Sequence, residues 1–255
     1  MNAVDRAALA WVNSLVGHSP AAFDAALLLC GQLPLALCVM AMLALWWTDP
    51  ERSPARTGVI GGFAPQARPG LEQSRLRAAM LALSVAGAFV VARLTALLTN
   101  WPRPLGREPL AVPLDPAVWA GTVEAMTGFG AFPSDHAALF FAVAVGLFSW
   151  HPAAGIVGLL AAALFSAARV AVGFHYPADV LAGGLIGALA AGAGRLLTPA
   201  MTPFLSPIVG LFERRPAVMY PLLFVAALDF THHFQLLLKP VFAVVFKVLG
   251  ATHAI

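Results

Sequence analysis

Three short groups of polar residues interrupt an otherwise apolar chain and carry its candidate chemistry. They occupy residues 100–106 (NWPRPLG), 132–136 (FPSDH) and 169–179 (RVAVGFHYPAD). Histidine can act as a nucleophile or as a general acid and base, and arginine binds phosphate or carboxylate through paired hydrogen bonds. Histidines and arginines brought together from separate groups would therefore suit the transfer of a phosphoryl group.

Two of these groups lie where a helix is predicted to begin. Residues 134–136 follow Pro133, and Pro177 stands where proline favours the first helical position. A helix N-terminus offers unpaired N–H groups and the positive end of a dipole, which together bind anions. Asp179 falls in the first turn of the second helix and can reach back to His175. A carboxylate on one ring nitrogen raises the basicity of the other, so the pattern predicts His175 as a nucleophile.

The helices that hold these groups are predicted to lie in a membrane, because the composition does not suit a soluble fold. Of the 255 residues, 60% are hydrophobic and 11% are charged, with a mean hydropathy of +0.83, whereas soluble domains carry about 25% charged residues. The net charge of +3 indicates no nucleic-acid partner. Thirteen of the fifteen basic residues are arginines, so guanidinium groups must supply the cationic chemistry. Cys30 and Cys38 lie in one apolar stretch and are expected to be packing residues.

Six apolar stretches predict an all-α, polytopic bundle of membrane-spanning helices. A helix needs about 20 residues to cross the hydrocarbon core. Residues 1–20 have an amphipathic pattern, which predicts a helix on the membrane surface. We therefore expect a surface helix at 1–20, a membrane domain with the candidate chemistry at 21–200, and an extra span with an interfacial tail at 201–255. The predicted spans are 25–47, 78–99, 137–150, 153–172, 178–197 and 217–238.

Arginine-rich loops predict the orientation of the bundle. Residues 48–77 and 195–215 hold eight of the arginines and should face the cytoplasm by the positive-inside rule. If the spans alternate, residues 100–135 and 173–177 face the opposite side. All three polar groups then meet at the outer face of an inner (plasma) membrane that the chain crosses several times. No cleavable signal peptide is evident.

The three polar groups resemble the signature of the type 2 phosphatidic acid phosphatase superfamily. That signature reads Lys-x6-Arg-Pro, then Pro-Ser-Gly-His, then Ser-Arg-x5-His-x3-Asp. The resemblance runs from about residue 5 to residue 197, with Asp135 standing where the family has glycine. The matching residues are Arg103, Pro104, Pro133, Ser134, His136, Arg169, His175 and Asp179.

Asp135 and the start of the chain resemble the bacitracin-resistance branch of this superfamily, whose members are undecaprenyl-diphosphate phosphatases. The residues of the start that carry this resemblance are Asp5, Asn13, His18, Ser19, Pro20 and Asp24. The resemblance implies hydrolysis of a lipid diphosphate through a phosphohistidine intermediate, without a cofactor. The expected partners are the lipid substrate and membrane lipids, and a homodimer is a possible assembly.

The resemblance also implies a role for each candidate residue. His175 is the expected nucleophile, Asp179 its orienting carboxylate, and His136 the acid and base. No metal is expected, because guanidinium groups supply the positive charge. The expected phosphate-binding residues are Arg103, Arg169, Ser134, Asp135 and Arg93.

Two positions depart from the family pattern. Ala96 stands in place of the lysine, and Arg93, one turn earlier on the same helix face, could substitute for it. Ala168 stands in place of the serine before Arg169, which removes one hydroxyl. We expect these changes to affect substrate preference and rate more than the class of reaction.

Several alternatives stay open. The substrate could be phosphatidic acid or phosphatidylglycerophosphate, or the phosphoryl group could pass to another lipid. A lipid transporter or an inactive binding relative is a further reading. Residues 105–132 are expected to form a lid over the substrate. The aromatic residues that could line its entry are Trp101, Trp119, Phe129 and Phe132.

Overall fold

A computed structural model of the protein describes residues 3–48, 69–99, 101–111 and 130–232. Every regular element in these ranges is an α-helix, and none is a strand, which confirms the predicted all-α class. The helices are α1 (Ala3–Gly17), α2 (Pro20–Cys30), α3 (Gln32–Trp47), α4 (Pro69–Thr99), α5 (Asp135–Leu147), α6 (Pro152–Ala171), α7 (Pro177–Arg214) and α8 (Pro216–Thr231).

Among the described residues, fewer helices are long and apolar enough to cross a membrane than the six spans that the sequence predicts. Within the described ranges, α4, α6 and α7 are long and apolar enough, and α2 with α3 passes the same test as a pair bent by 44°. That gives three spans, or four if the bent pair is one span. Helices α5 and α8 are apolar but have only 13 and 16 residues, whereas a full span takes about 20. The predicted residues 233–238 and the apolar tail 241–250 lie outside the described ranges.

Helix α5 lies at the centre of the bundle, packed against α4, α6 and α7. Its contact with α7 depends on two glycines. A Cβ atom on Gly183 would overlap the carbonyl oxygen of Ser134, and one on Gly187 would overlap that of Ala138. The small residues of this helix therefore allow the close backbone approach that the sequence predicted.

The first predicted span is not a single helix, which corrects the expectation for residues 25–47. The structure breaks it at Gly31, between α2 and α3. Pro34 explains the break, because proline has no N–H to donate to the carbonyl of Cys30 four residues earlier. That carbonyl accepts a hydrogen bond from Nη1 of Arg169 instead, at 3.1 Å. The break thus supplies a backbone acceptor to a residue of the candidate site.

The longest helices extend further than predicted. Helix α7 continues from the predicted end at residue 197 to Arg214, so most of the predicted loop 195–215 is helical. The prolines inside α7 are spaced four residues apart on its exposed side: Pro199, Pro203 and Pro207. Helix α4 likewise begins at Pro69, inside the other predicted loop. The expected division of the chain at residue 200 falls within a helix and stays a prediction.

Helix α1 is joined to the connection between α6 and α7 by side-chain hydrogen bonds. Asn13 is buried; its Nδ2 donates to the carbonyl oxygen of Ala171 at 2.6 Å, and its Oδ1 accepts from the amide of Ala111 at 2.7 Å. Oδ1 of Asp5 accepts from the amide of Ala178 at 3.0 Å. The first helix therefore supports the segment that carries His175.

Candidate active site

His175 lies in the turn between α6 and α7, and both of its ring nitrogens have partners. Nδ1 is 3.0 Å from the carbonyl oxygen of Ala131 and 3.5 Å from Oδ2 of Asp179. Nε2 is 3.1 Å from Nη1 of Arg103. Because a guanidinium group can only donate, Nε2 must hold the lone pair and Nδ1 the proton. This tautomer is the one that a histidine nucleophile requires.

The surroundings of His175 keep its imidazole neutral. The side chain is 1% exposed. Burial lowers the pKa of His175 well below 6.5, and the positive charges of Arg103 and Arg169 act in the same direction. Burial also lowers the pKa of Arg103, to about 10, so its guanidinium group stays protonated at neutral pH. A neutral imidazole beside a permanent cation is suited to attack on an anionic phosphate.

His136, in the first turn of α5, is held by the carboxylate of the residue before it. Oδ1 of Asp135 lies 2.8 Å from Nδ1 of His136 and accepts the backbone amide of His136 at 2.7 Å. Oδ2 of Asp135 pairs with Nε of Arg93 at 3.3 Å. With Nδ1 held by a carboxylate, Nε2 of His136 is the nitrogen suited to proton exchange with a substrate.

The contacts of Asp135 and Arg93 favour positioning roles for both. The sequence placed both residues among the phosphate-binding groups. In the structure they form an ion pair next to His136, and the guanidinium group of Arg93 also lies 5.4 Å from the centre of the Phe89 ring. Direct phosphate contacts of Asp135 and Arg93 therefore stay predictions. Ala96, where the family has lysine, is buried in α4.

Arg169, in the last turn of α6, is a buried cation, and one of its N–H donors has no partner among the described residues. It is 4% exposed, its Nη1 donates to the carbonyl oxygen of Cys30, and its Cζ lies 5.5 Å from the centre of the Phe174 ring. Nε of Arg169 has no hydrogen-bond partner among the described residues. A buried guanidinium group with an unsatisfied donor favours the arrival of an anion.

The beginnings of α5 and α7 are connected to each other. Ser134 caps α5, with Oγ accepting the amide of Ala137 at 3.4 Å, and its own amide donates to the carbonyl oxygen of Asp179 at 2.9 Å. Oδ2 of Asp179 also accepts the amide of Tyr176 at 2.8 Å, which caps α7. Two helix N-termini are therefore fixed side by side, and each contributes partial positive charge to its end of the bundle.

A second layer of contacts supports the turn that carries His175. The hydroxyl of Tyr176 donates to Oε1 of Glu108 at 3.0 Å, and the same oxygen pairs with Nε of Arg6 at 3.2 Å. Gly173 has a φ of 80°, a conformation that glycine adopts without a steric penalty. Its carbonyl oxygen accepts the amide of Leu105 at 2.9 Å, which connects the turn to the segment after Arg103.

The structure brings the predicted residues to one end of the bundle. The charges of Arg103, Arg169, Asp135 and His136 all act on the pKa of His175. Sequence reasoning missed the carbonyl groups of Ala131 and Cys30, because any residue type supplies a carbonyl. Pro34 was the signal that could have indicated the second one. Trp101 is exposed and Phe132 half-buried at this end. Trp119 and Phe129, with most of the expected lid, lie outside the described residues.

The fold and the site together define a helical membrane protein with a cluster of arginines and histidines suited to binding phosphate. Residues 77–202, about half of the chain, match the PAP2 superfamily. This segment therefore belongs to the PAP2 superfamily, whose members are phosphatases.

One curated relative supports the same assignment. The chain is 36% identical over 83 residues to the Bacitracin transport permease protein BcrC of Bacillus licheniformis. The match covers 32% of this chain and 40% of that protein, so the chain spans less than half of the length of that relative. No solved structure matches the chain.

Proposed function

We propose that this protein is a lipid phosphatase that hydrolyses undecaprenyl diphosphate to undecaprenyl phosphate and inorganic phosphate through a phosphohistidine intermediate. The observation that carries the proposal is the tautomer of His175, whose Nε2 holds the lone pair and lies 3.1 Å from a guanidinium nitrogen of Arg103. A phosphatase of this kind needs a neutral imidazole and a cation at the same point. The similarity to BcrC supports the choice of a lipid diphosphate.

In the first step, Nε2 of His175 attacks the terminal phosphorus. The bond from that phosphorus to the bridging oxygen breaks, and the lipid monophosphate leaves with the bridging oxygen. The Nδ1 proton of His175 stays between Ala131 and Asp179, whose oxygens stabilise the positive charge that the ring acquires. Arg103 and Arg169 bind the non-bridging oxygens, whose charge rearranges in the transition state.

His136 supplies the proton that the leaving oxygen needs. Its Nε2 donates that proton while Asp135, bound at Nδ1, keeps the ring in position. In the second step, His136 takes a proton from water as the water attacks the phosphohistidine. The P–N bond breaks, inorganic phosphate leaves, and His175 recovers its lone pair. One water is consumed per turnover, and no group other than these side chains moves a proton.

The proposed site lies on the extracytoplasmic side of the inner membrane. The support is the distribution of arginines, which favours a cytoplasmic position for the opposite end of the bundle. The apolar helices around the site suit a substrate whose long prenyl chain remains in the bilayer while its diphosphate reaches the polar cluster.

The test is phosphate release by the purified full-length protein in detergent or nanodiscs. Undecaprenyl diphosphate and phosphatidic acid are assayed in parallel, with and without EDTA. We expect the diphosphate to be preferred, EDTA to have no effect, and His175→Ala to abolish release. Single turnovers with substrate labelled at its terminal phosphate, quenched in alkaline denaturant, should trap label on His175 as an acid-labile, alkali-stable adduct. A protein that binds the lipid but releases no phosphate, or that transfers it to another lipid, would contradict the proposal.

A further inference from the structure

A cavity lined by both polar and apolar residues lies at the opposite end of the bundle from the candidate active site. Its volume is about 440 Å³, within the range of about 300–1,000 Å³ typical of small-molecule sites. It opens between α4 and α7, below the end of α5. The short length of α5 creates it, because α5 stops at Leu147 while α4 and α7 continue. The polar residues of its lining include Gln73, Arg77, Ser149, Trp150, Arg195 and Thr198.

The separation from the active site follows from helix geometry. Arg77 precedes Arg93 by 16 residues on α4, and Arg195 follows Asp179 by 16 residues on α7. At 1.5 Å per residue, each interval is about 24 Å along the helix axis. A ligand in the cavity could not reach His175, so the cavity is a distinct place in the molecule.

The charge in the cavity is unbalanced. Its described lining contains two arginines and no carboxylate. Neither Arg77 nor Arg195 forms an ion pair within the described part of the chain, whereas nearby Arg75 pairs with Glu213 at 2.9 Å. Arg75 is also within 5.6 Å of the ring centres of two tryptophans. Among the described residues, the two cavity arginines therefore differ from Arg75 in having no anionic partner.

Trp150 adds a neutral donor to the same lining. Its Nε1 is buried and has no hydrogen-bond partner among the described residues. A buried indole N–H without an acceptor costs free energy, and a turn of the Trp150 ring toward an anionic oxygen in the cavity would satisfy it. The hydroxyl groups of Thr198 and Thr202 already donate to backbone carbonyls of α7. Their oxygens give the wall a polar face without adding negative charge.

We propose that this cavity is a second anion site, which binds a phosphate group between Arg77 and Arg195 with Trp150 as an additional donor. Basic pockets between membrane helices bind lipid headgroup phosphates. The phosphate could come from an anionic phospholipid at the membrane boundary or from free inorganic phosphate, and the two share the same chemistry. The proposal does not depend on turnover at His175.

Binding measured on the purified full-length protein tests the proposal. The ligands are short-chain phosphatidylglycerol, short-chain phosphatidylcholine and inorganic phosphate. The test variant is R77Q/R195Q. The control R214Q/R215Q removes two charges at the same end of the bundle but outside the cavity. A second control, Arg103→Gln, weakens the candidate active site. We expect R77Q/R195Q to weaken binding by about tenfold or more, since hydrogen bonds to charged groups are the strong ones. R214Q/R215Q and Arg103→Gln should retain this binding event.

The pattern across ligands identifies the source of the phosphate. Tighter binding of phosphatidylglycerol than of phosphatidylcholine supports a lipid headgroup as the source. Binding of inorganic phosphate as tight as that of phosphatidylglycerol, with competition between the two, supports the free ion. If R77Q/R195Q elutes as an aggregate, the milder Trp150→Phe and Arg195→Gln proteins replace it, each with a smaller expected loss. Unchanged affinity for both ligands in the cavity variants, or an equal loss in R214Q/R215Q, overturns the proposal. If the native protein releases no phosphate but R77Q/R195Q still weakens ligand binding, the result contradicts only the proposed phosphatase function.

Discussion

Nη1 of Arg103 lies 3.1 Å from Nε2 of His175, so a cation covers the nitrogen that is expected to attack phosphorus. For attack to occur, a phosphate oxygen must replace Nε2 as the acceptor of the hydrogen bond from Arg103, which exposes the lone pair of Nε2. Binding of substrate and release of the nucleophile are thereby the same event. This arrangement also protects the imidazole from protonation when no substrate is bound, because a cation at Nε2 disfavours a second positive charge.

Removing the guanidinium group should affect the transition state more than binding. Arg103→Gln is expected to lower kcat/KM for the lipid substrate by about 10²–10³-fold, the usual effect of losing one donor to developing charge. Arg107→Gln is the matched control, since Arg107 is exposed in the same segment. The measurement is steady-state phosphate release. An equal loss in both variants would show that the segment's net charge, not the contact with His175, matters.

The carboxylate of Asp135 should matter in proportion to how much the leaving group needs a proton. Asp135→Asn removes the anion that orients His136, and general acid catalysis contributes about 10²–10⁴-fold. We expect a large loss on phosphatidic acid, whose leaving alkoxide needs a proton, and a much smaller one on p-nitrophenyl phosphate, whose leaving group needs none. Asp24→Asn, on the exposed side of α2, serves as the control. A similar loss on both substrates would argue against His136 as the acid.

The pH dependence follows from the sign of the shift at His175. Its native pKa lies well below 6.5 because of burial and the neighbouring arginines. The phosphorylation burst should therefore not fall through protonation of His175 as pH drops through 6.5. As pH falls below 6.5, the unfolded chain binds a proton that native His175 does not, so this group makes the protein less stable. His175→Asn should reduce the fall in Tm between pH 7.5 and pH 5. A fall in Tm equal to that of the native protein would refute the low pKa assigned to His175.

The break between α2 and α3 offers an indirect test of Arg169. Pro34→Ala restores an N–H that can compete for the carbonyl of Cys30, the acceptor that holds Arg169. We expect kcat/KM to fall by less than the roughly 10²–10³-fold loss of Arg169→Gln, while the helix becomes more stable. Pro221→Ala, within α8, is the control. A Pro34→Ala protein with full activity would show that the carbonyl of Cys30 does not position Arg169.

Local patterns predicted the helical class and the grouping of the polar residues, because both depend on residue type and spacing. The turn that holds His175 could be anticipated from Pro177 and Asp179, which are capping residues. The bend at Gly31 was missed, since hydrophobicity over 25–47 remains high on both sides of it and only Pro34 marks it. The contacts of Asp135 could be identified only in the structure, because a carboxylate next to His136 in sequence can face either the substrate or the imidazole ring.

The continuation of α7 to Arg214 could not be seen from the sequence for a different reason. Prolines usually end a helix, and three of them follow the predicted end of the span at residue 197. Their spacing of four residues puts them on one exposed face, so the helix persists through packing of the other face. Tertiary contacts thus outweighed local propensity in this region.

The partners of helix α1 set an order of events during synthesis. Asn13 bonds to Ala171, 158 residues later, and Asp5 to Ala178, 173 residues later. The ribosome must therefore deliver most of the chain before the first helix can reach its final position. Until then the side chain of Asn13 lacks its native acceptor, the carbonyl oxygen of Ala171. The support that α1 gives to the proposed catalytic turn can therefore form only after residue 178 has been synthesised.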